Sequence, residues 1–327
     1  KITLRGFYGN VGPVETDLES LVVRQKLFGY TREDIQVILE PMASNGQEPV
    51  GSMGADTPLA VFSEKNQSLF SYFKQLFAQV TNPAIDPVRE ELVMSLMTFI
   101  GNSGNILSET PQNSSLIKLS HPFLSNDDLN RIRDLDREGF KAATLPMGFP
   151  AGSSGRGLEM ALEQLGDRCD EAVSQGCSIL ILSDRNLSKG TTPIPSLLGV
   201  SAVNQLLVRK GVRTGSGLVV ETGEAREVMH MALLLGYGAT AINPYLAFES
   251  IAAMGLRQEL SRTQPAGLAI ENYIKALCKG LLKIMSKMGI STLRSYRSAQ
   301  VFEAVGLKSN LVEKYFPRTG SRIEGIG

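Results

Sequence analysis

Residues 178–186 read SILILSDRN, an apolar run that ends abruptly in three polar side chains. From Cys177 to Ser183 the apolar residues hardly alternate with polar ones, which is typical of a strand buried on both faces. Such strands form parallel sheets that helices cover on both sides. The stretch therefore predicts a parallel strand that ends just before Asp184.

Strand and helix alternate through the sequence around this stretch. An amphipathic helix is predicted at 156–175, before the strand, and helix 195–211, strand 216–223, helix 224–238 and strand 239–246 are predicted after it. This order is the signature of right-handed parallel βα units. The predicted fold class is therefore α/β, built as a barrel or as an open sheet.

Polar side chains follow three successive predicted strands. The rim candidates are Asp184, Arg185, Asn186, Glu221 and Asn243. The carboxyl ends of parallel strands meet at one edge, where α/β proteins bind their ligands. An alternative stays open, because any chain that leaves a sheet becomes polar. An ion pair of Glu221 with Arg185 or Arg226 would then be purely structural.

The remaining sequence predicts further helices and short strands. Thr31 and Asp34 form a capping-box pattern for a helix that ends near Pro41, and Asp86 is a helix N-cap before Pro87. Other predicted elements are a helix over 68–80, strands within 105–109, 115–121 and 140–148, a helix opened by Ser125 and Asp128, and a helical tail with a basic surface over 283–306.

The composition is ordinary for a globular protein. Of 327 residues, 43% are hydrophobic and 20% are charged, and 33 basic residues balance 33 acidic ones. This balance removes the simplest argument for nucleic acid, and no apolar run approaches the roughly 18 residues of a membrane span. Because the first residue is Lys1 rather than Met, we expect a fragment of a longer chain.

Few residues suit metal or nucleophilic chemistry. Cys169, Cys177 and Cys278 form no C-x-x-C pair, so we expect reduced thiols in or near the core of an intracellular protein. His121 and His230 are the only histidines, which disfavours a catalytic triad or a poly-histidine metal site. His230 lies beside an apolar helix face, where a hydrogen-bonded structural role is expected.

Nucleotide-binding motifs are missing from the sequence. It contains neither a Walker loop nor a G-x-G-x-x-G motif after a strand. GYGAT at 236–240 fits a tight helix-to-strand turn better than a phosphate cradle. Ser291, Thr292, Arg294 and Arg297 lie in a stretch with few glycines, which favours a basic surface over a nucleotide site.

Several long strings resemble the central domain of glutamate synthase. They are EPVGSMGADTPLAVFS (48–63), YFKQLFAQVTNPAIDPVREELVMSL (72–96), LILSDRN (180–186), LLLGYGATAINPYLAFES (233–250), IMSKMGISTLRSYR (284–297), FEAVGL (302–307) and SRIEGIG (321–327). Together they cover nearly the whole chain from about residue 20. The resemblance implies an α/β fold of degenerate TIM-barrel-like βα repeats with an N-terminal helical region.

The resemblance also implies a function. Members of this family release ammonia from glutamine, pass it through an internal tunnel, add it to 2-oxoglutarate and reduce the product to glutamate. Their central domain joins the glutaminase domain to the FMN-binding domain, which holds an iron–sulfur cluster, and helps form the tunnel. We therefore expect a non-catalytic scaffold with those two domains as partners, no cofactor in this segment, and a cytoplasmic or plastid-stromal location.

The resemblance divides the chain into three parts. These are an N-terminal linker and helical segment at 1–66, a barrel-like α/β domain at 67–270, and a C-terminal helical segment at 271–327 that leads toward the FMN domain. The chain has neither the N-terminal cysteine of the glutaminase nor the three closely spaced cysteines of the cluster.

The site residues implied by the resemblance lie on loops and junctions. Candidates for the ammonia tunnel are Met53, Gly54, Asp56 and Thr57, and candidates for the domain junction are Asn82, Asp86 and Arg89. Within the tunnel loop, Ala55 stands where the family usually has Asp or Asn, so this loop is less polar. The alternative role for Asp86 is helix capping alone.

Two other functions stay open at this stage. The chain would be an independent enzyme if the rim residues acted on a small phosphorylated or carboxylate substrate. It would be a docking subunit if it held separate glutaminase and synthase chains together. Neither alternative calls for residues beyond those already named.

Overall fold

The computed structural model describes residues 2–3, 17–49, 58–77, 84–105, 107–108, 116–135 and 139–327. The α-helices are α1 Leu18–Leu27, α2 Glu40–Asn45, α3 Pro87–Val93, α4 Asn126–Arg133, α5 Gly155–Ser174, α6 Ser196–Arg209, α7 Val228–Gly236, α8 Tyr245–Leu256, α9 Ala266–Met288, α10 Leu293–Tyr296 and α11 Ser309–Tyr315. The strands are β1 Ile2–Thr3, β2 Phe73–Gln75, β3 Thr98–Ile100, β4 Ile117–Leu119, β5 Ala142–Pro146, β6 Gly148–Pro150, β7 Ile179–Ser183, β8 Thr191–Pro193, β9 Gly217–Glu221, β10 Ala241–Asn243, β11 Phe302–Ala304 and β12 Gly320–Ser321.

The central sheet has the strand order β10-β9-β7-β5, and all of its pairs are parallel. Helices α5, α6 and α7 alternate with these strands along the chain. The predicted α/β class is therefore confirmed. Among the described strands the sheet is open, with β5 at one edge, and Phe123 continues it beyond β10 through a single bridge to Ile242.

The two faces of the sheet belong to different parts of the core. Leu180 and Val220 point into the larger core, which also contains buried residues of α5, α6 and α7. Ile179 and Val219 point the other way and pack with α4 and the β3–β4 pair. Each such aliphatic side chain contributes about 1.5–3 kcal/mol when it is fully withdrawn from water. Strands β7, β9 and β10 are thus buried on both faces, as the lack of alternation in the sequence predicts for β7, whereas the edge strand β5 is only partly buried.

The N-terminal helical region keeps its predicted start but not its predicted end. The Thr31 hydroxyl accepts from the backbone N–H of Asp34 at 3.1 Å, and the Asp34 carboxylate accepts from the Thr31 N–H at 2.8 Å. The predicted end near Pro41 is wrong, because a π-helical stretch over Asp34–Leu39 leads directly into α2. Pro41 lies in the first turn of α2, where its missing N–H is not needed.

Tertiary pairing overrides the helical pattern predicted over 68–80. Residues Leu69–Tyr72 form a 3-10 turn, and Phe73–Gln75 form β2, which pairs antiparallel with β11. Phe73 is buried there against Tyr237 and Phe316, with ring centroids 5.5 and 4.9 Å away. The apolar stripe of this segment therefore belongs to a strand edge and an aromatic cluster.

Two other local predictions are wrong in part. Within the helical tail predicted over 283–306, the end of α9 and α10 are helical, but β11 is a strand. Strand β12 follows, so the C-terminal segment is not entirely helical. The strand predicted within 105–109 is a turn at its described residues, because the Asn105 side chain accepts from the N–H of Leu107 at 3.0 Å. The cap at Ser125 and the N-cap at Asp86 are confirmed.

Candidate functional site at the carboxyl edge of the sheet

Parallel register places the ends of three strands side by side. Ser183 of β7 pairs with Glu221 of β9, which in turn pairs with Asn243 of β10. Asp184 and Arg185 follow directly after β7. The structure therefore brings four of the five rim candidates to one edge of the sheet.

Glu221 lies at the centre of this edge and is fully engaged. It is only 2% exposed, and its carboxylate accepts from Arg133 Nη2 at 2.8 Å and from the Ser183 hydroxyl at 2.6 Å. Arg185 Nη1 lies 3.5 Å from its other oxygen. Of the two pairs that the sequence suggests, the one with Arg185 forms, whereas Arg226 instead pairs with Asp34 at 3.1 Å.

A second buried carboxylate continues the same chain of charges. Glu249 on α8 is 2% exposed and accepts from Arg185 Nη2 at 2.8 Å and from Arg24 Nη1 at 2.5 Å. Arg133, Glu221, Arg185, Glu249 and Arg24 thus form an alternating row, which we call the rim ladder. The Arg185 guanidinium also lies over the Tyr245 ring, 4.8 Å from its centroid.

The sequence reasoning missed Arg133, Arg24 and Glu249. Arg24 and Arg133 come from helices far from the strand ends in sequence, and no local pattern predicts their partners. Glu249 did carry a signal, because it is a lone acid in the apolar string YLAFES. Such an acid on a buried helix needs a cation beside it.

The rim ladder is stabilising rather than reactive. Both carboxylates are buried and each meets two guanidinium groups, so neither is left to act as a base or to hold a cation. The three arginine side chains are 26–31% exposed, so their charge is partly solvated. These ion pairs lie at the edge of the sheet where α/β proteins bind ligands.

Asp184 is a buried carboxylate at the rim of the sheet. Its carboxylate accepts from the Thr222 hydroxyl at 2.5 Å and from the Gly223 N–H at 2.9 Å, and the residue is 4% exposed. Burial, with the charge of Glu224 adding to it, raises the pKa of Asp184 to about 7, although its hydrogen bonds with Thr222, Gly223 and Tyr245 oppose this. The group can therefore hold a proton at neutral pH.

The two asparagines of the rim differ from each other. Asn186 is exposed and lies in a turn with φ of 59°, a left-handed conformation that asparagine tolerates. Asn243 is fully buried, and its Nδ2 donates to the Leu124 carbonyl at 2.9 Å and to Asn126 Oδ1 at 3.0 Å. Asn243 thus fastens the 122–126 segment to β10, whereas Asn186 lies outside the ladder.

His230 has the structural environment expected of it. Its ring stacks on Phe70 with centroids 4.3 Å apart, and its Nδ1 accepts from the Arg226 N–H at 3.3 Å. Burial, reinforced by the Arg226 charge, lowers the pKa of His230 to about 3. The imidazole is therefore neutral and packed.

The cysteines do not suit an iron–sulfur cluster. Cys169 and Cys177 are buried and Cys278 is half-buried. Burial raises the pKa of Cys169 and of Cys278 to about 12, so these thiols resist the ionisation that metal ligation requires. In the described part of the chain no group of three His, Cys, Asp or Glu is arranged to hold a metal ion, and no helix there is long and apolar enough to cross a membrane.

The loop and junction candidates are described only in part. Met53, Gly54, Asp56, Thr57 and Asn82 lie outside the described residues. Asp86 caps α3 by accepting from the N–H groups of residues 88 and 89, both at 3.0 Å. Arg89 Nε lies 3.4 Å from the same carboxylate, and this pair is exposed.

Helix α3 carries a signal that the sequence reasoning missed. Val88 is 88% exposed and Leu92 is 84% exposed, one turn apart on the same helix face. Residues four positions apart on a helix are neighbours, so these two side chains form a small apolar patch on the surface. This apolar pair lies on the very helix that holds Asp86 and Arg89.

Comparison with known proteins places the chain within a larger protein type. A family model described as the glutamate synthase central domain matches residues 23–308. The large chain of an NADPH glutamate synthase from Bacillus subtilis is 47% identical over 95% of this chain, which covers 20% of that relative. A chloroplastic ferredoxin-dependent glutamate synthase from Spinacia oleracea is 43% identical over 94% of the chain, again 20% of the relative.

One more relative and one solved structure are also similar to the chain. A relative named NADH glutamate synthase from Schizosaccharomyces pombe is 42% identical over 91% of this chain, which covers 14% of it. The chain thus spans about a fifth or less of the length of these relatives. Among solved structures, the flavin-binding domain of baker's yeast flavocytochrome b2 is 12% identical with a TM-score of 0.34, over 60% of this chain and 46% of that one.

Proposed function

The chain belongs to the glutamate synthase central domain family, and we propose that it acts as a scaffold without an active site of its own. In this role it joins a glutaminase domain to an FMN-binding domain of the same protein and helps form the path for ammonia between them. FMN and an iron–sulfur cluster would belong to those other parts of the protein.

The observation that carries this proposal is the rim ladder. The carboxyl edge of the sheet is where a ligand or cofactor would bind in this fold class. Here Glu221 and Glu249 are buried and neutralised by three arginines of the same chain. A flavin would have to displace these pairs, so the residues at this edge do not fit one.

The exposed apolar pair on α3 supports the joining role. Val88 and Leu92 are withdrawn from water only if something covers them, and burial of such side chains contributes about 1.5–3 kcal/mol each. A neighbouring domain of the same protein would supply that cover. Asp86 would then act at the junction by capping the start of this helix, and Arg89 by pairing with Asp86 on the exposed helix surface.

The path for ammonia is proposed along the loop that holds Met53, Gly54, Asp56 and Thr57. Ammonia must stay neutral to act as a nucleophile, so its path must exclude bulk water and ionised walls. The replacement of a polar residue by Ala55 suits such a path. The role of these four residues rests on the resemblance to the family.

One observation favours the alternative of an independent enzyme. With a pKa of about 7, Asp184 could take up and release a proton at neutral pH, as a general base does. Its carboxylate is nevertheless 4% exposed and already holds two hydrogen bonds. We therefore favour a structural role for Asp184.

The joining role is tested by nitrogen transfer in the full-length protein that contains this chain. Amide-¹⁵N glutamine is supplied together with excess unlabelled ammonium, and the ¹⁵N fraction in newly formed glutamate is measured. Transfer inside the protein predicts that the label is retained. Replacing Val88 and Leu92 together by Ser should lower retention, because a loosened junction lets ammonia exchange with solvent.

A matched control separates this effect from simple loss of surface apolarity. Leu256 is 68% exposed at the end of α8, so Leu256→Ser removes a similar group elsewhere. This variant should retain the label as the wild type does. Equal retention in the α3 double variant and the control, or no retention in the wild type, would contradict the joining role.

A further inference from the structure

A cavity of about 440 Å³ lies at the opposite end of the central sheet from the rim ladder. Its wall includes Ser216 and Gly217 where β9 begins, and Gly238 and Thr240 just before β10. Thr98 of β3 closes another side. A volume of this size suits a small molecule, since ligand pockets of proteins begin at about 300 Å³.

Arg213 is held in this cavity by neutral groups. Its Nε donates to Asn204 Oδ1 at 2.6 Å, its Nη1 to the Ser216 carbonyl at 2.8 Å, and its Nη2 to the Gly238 carbonyl at 2.7 Å. Gly238 has φ of 122°, a conformation that glycine alone adopts readily, and this turn presents its carbonyl to the arginine. The guanidinium is thus fixed in place, but its charge is not neutralised.

Arg297 enters the same cavity from the segment that follows α10. Its Nη2 donates to the Thr98 hydroxyl at 2.5 Å. Among the residues that the structure describes, neither Arg297 nor Arg213 forms an ion pair with a carboxylate. Arg294 also lines the cavity and adds a third positive charge.

Withdrawing these charges from water costs free energy that the fold does not recover by itself. Burial, together with the charges of Arg213 and Arg294, lowers the pKa of Arg297 to about 10. Burial likewise lowers the pKa of Arg213 to about 10. Two partly desolvated guanidinium groups that repel each other attract an anion.

Two polar atoms in the cavity wall have no hydrogen-bond partner among the described residues. The Ser216 hydroxyl belongs to a residue that is 3% exposed, and within the described part of the chain it makes no hydrogen bond. The Nε of Arg297 is buried and unpartnered in the same way. Buried polar groups are almost always hydrogen-bonded, so these two atoms call for a partner from outside the described chain, either a water or a bound group.

We propose that this cavity binds a small anion that carries a carboxylate or phosphate group. The anionic oxygens accept from Arg297 Nε and from the Ser216 hydroxyl, while the charges of Arg213 and Arg297 balance theirs. Met97, Phe99 and Val208 also line the cavity and accommodate a short carbon chain. No described lining residue is an acid, so none of them repels an anion. This inference does not depend on the proposed scaffold function.

The proposal is tested by isothermal titration of the purified chain with two anions and one neutral analogue. The probes are inorganic phosphate, glutarate and glutaramide. At least one anion should bind with a stoichiometry near one, and glutaramide should not bind. Binding of phosphate alone would assign the site to phosphate groups, and binding of glutarate alone would assign it to carboxylates. Binding of neither anion would overturn the proposal.

Variants locate the binding. Arg297→Gln removes a charged donor and should weaken anion binding at least about tenfold, since a charge-assisted hydrogen bond is lost. Arg209→Gln is the matched control, because Arg209 is exposed at the end of α6 and forms no ion pair among the described residues. It should bind as the wild type does. Equal weakening in both variants would overturn the proposal, because the anion would then sense only overall charge.

Ser216→Ala provides a test that does not risk the fold. The hydroxyl has no intramolecular partner to lose, so the unfolding free energy should be unchanged. Anion binding should nevertheless weaken about threefold to tenfold. Wild-type affinity in both Ser216→Ala and Arg297→Gln would show that the anion binds elsewhere and would overturn the proposal.

Discussion

The arginines at the two ends of the central sheet have different kinds of partner. At the carboxyl end, three arginines meet two buried glutamates of the same chain and form the rim ladder. At the amino end, Arg213 and Arg297 meet hydroxyl, amide and carbonyl oxygens, all of them neutral. Within the described residues, every arginine of the rim ladder is therefore paired with a carboxylate, whereas Arg213 and Arg297 form no ion pair.

This difference indicates at which end of the sheet a bound anion would stabilise the folded protein. Where the chain supplies both charges, an incoming anion must break existing ion pairs and gains little. Where the chain supplies only positive charge, the anion replaces water beside a group that lacks a counter-ion. In barrel enzymes the carboxyl end is the working end, whereas here the balance of charge favours the amino end for binding.

The largest expected effect comes from breaking the ladder at Glu249. Glu249→Gln removes the charge that holds both Arg24 and Arg185, so the unfolding free energy should fall by about 3 kcal/mol. Urea unfolding followed by circular dichroism measures it. Glu271→Gln, at an exposed position on α9, is the control and should change stability by less than about 0.5 kcal/mol. A loss that is the same in both variants would contradict the structural role of the ladder.

The next effect concerns pH and Asp184. The unfolded carboxyl ionises near 3.8, but the folded one keeps its proton up to about 7, so the folded state binds more protons between these values. Stability contributed by this group is therefore lost as pH rises through that window. Between pH 5 and pH 8 the wild type should lose about 2 kcal/mol more than Asp184→Asn. Urea unfolding at both pH values decides this, and parallel losses in the two proteins would contradict the raised pKa.

A pair of arginine variants tests directly whether arginines at the two ends of the sheet contribute differently to stability. Arg24→Gln removes one of two partners from buried Glu249 and should lower stability by about 1 kcal/mol. Arg297→Gln, in anion-free buffer, removes a repulsive charge along with one hydrogen bond, so stability should stay within about 0.5 kcal/mol of wild type. Thermal and urea unfolding of both variants measure this. A greater loss for Arg297→Gln than for Arg24→Gln would reverse the assignment of the two ends.

The smallest effect is expected at Asn186. It is exposed, lies at φ of 59° and belongs to no part of the ladder, so Asn186→Gly should leave stability within about 0.5 kcal/mol of wild type. Unfolding midpoints suffice to measure it. A large loss would reveal a role for this side chain that its position does not suggest.

The sequence predicts the βα core because local and tertiary preferences agree there. Cys177 to Ser183 is both a good strand and a good core segment, and glycines at positive φ (Gly176 and Gly211) follow the ends of α5 and α6. Over 68–80 the two conflict, since the apolar spacing of a helix is overridden when Phe73 packs with Tyr237 and Phe316 and β2 pairs with β11. Local periodicity carries no information about that distant partner.

The candidate site was predictable in position but not in chemistry. Asp184, Arg185 and Glu221 follow from strand ends, and register alone brings them together. The ladder depends on Arg24, Arg133 and Glu249, which reach the rim from three separate helices. The cavity at the amino end likewise depends on Arg213 and Arg297 lying close together in space, which no local sequence pattern predicts.

The most direct test of this contrast is an NMR titration of one ¹⁵N-arginine-labelled sample with phosphate or glutarate, in which the side-chain Nε–Hε signals are followed. The account predicts that the signals of Arg213 and Arg297 shift and saturate together, while those of Arg24, Arg133 and Arg185 stay in place. Saturating shifts at Arg24, Arg133 and Arg185, with Arg213 and Arg297 unaffected, would contradict it.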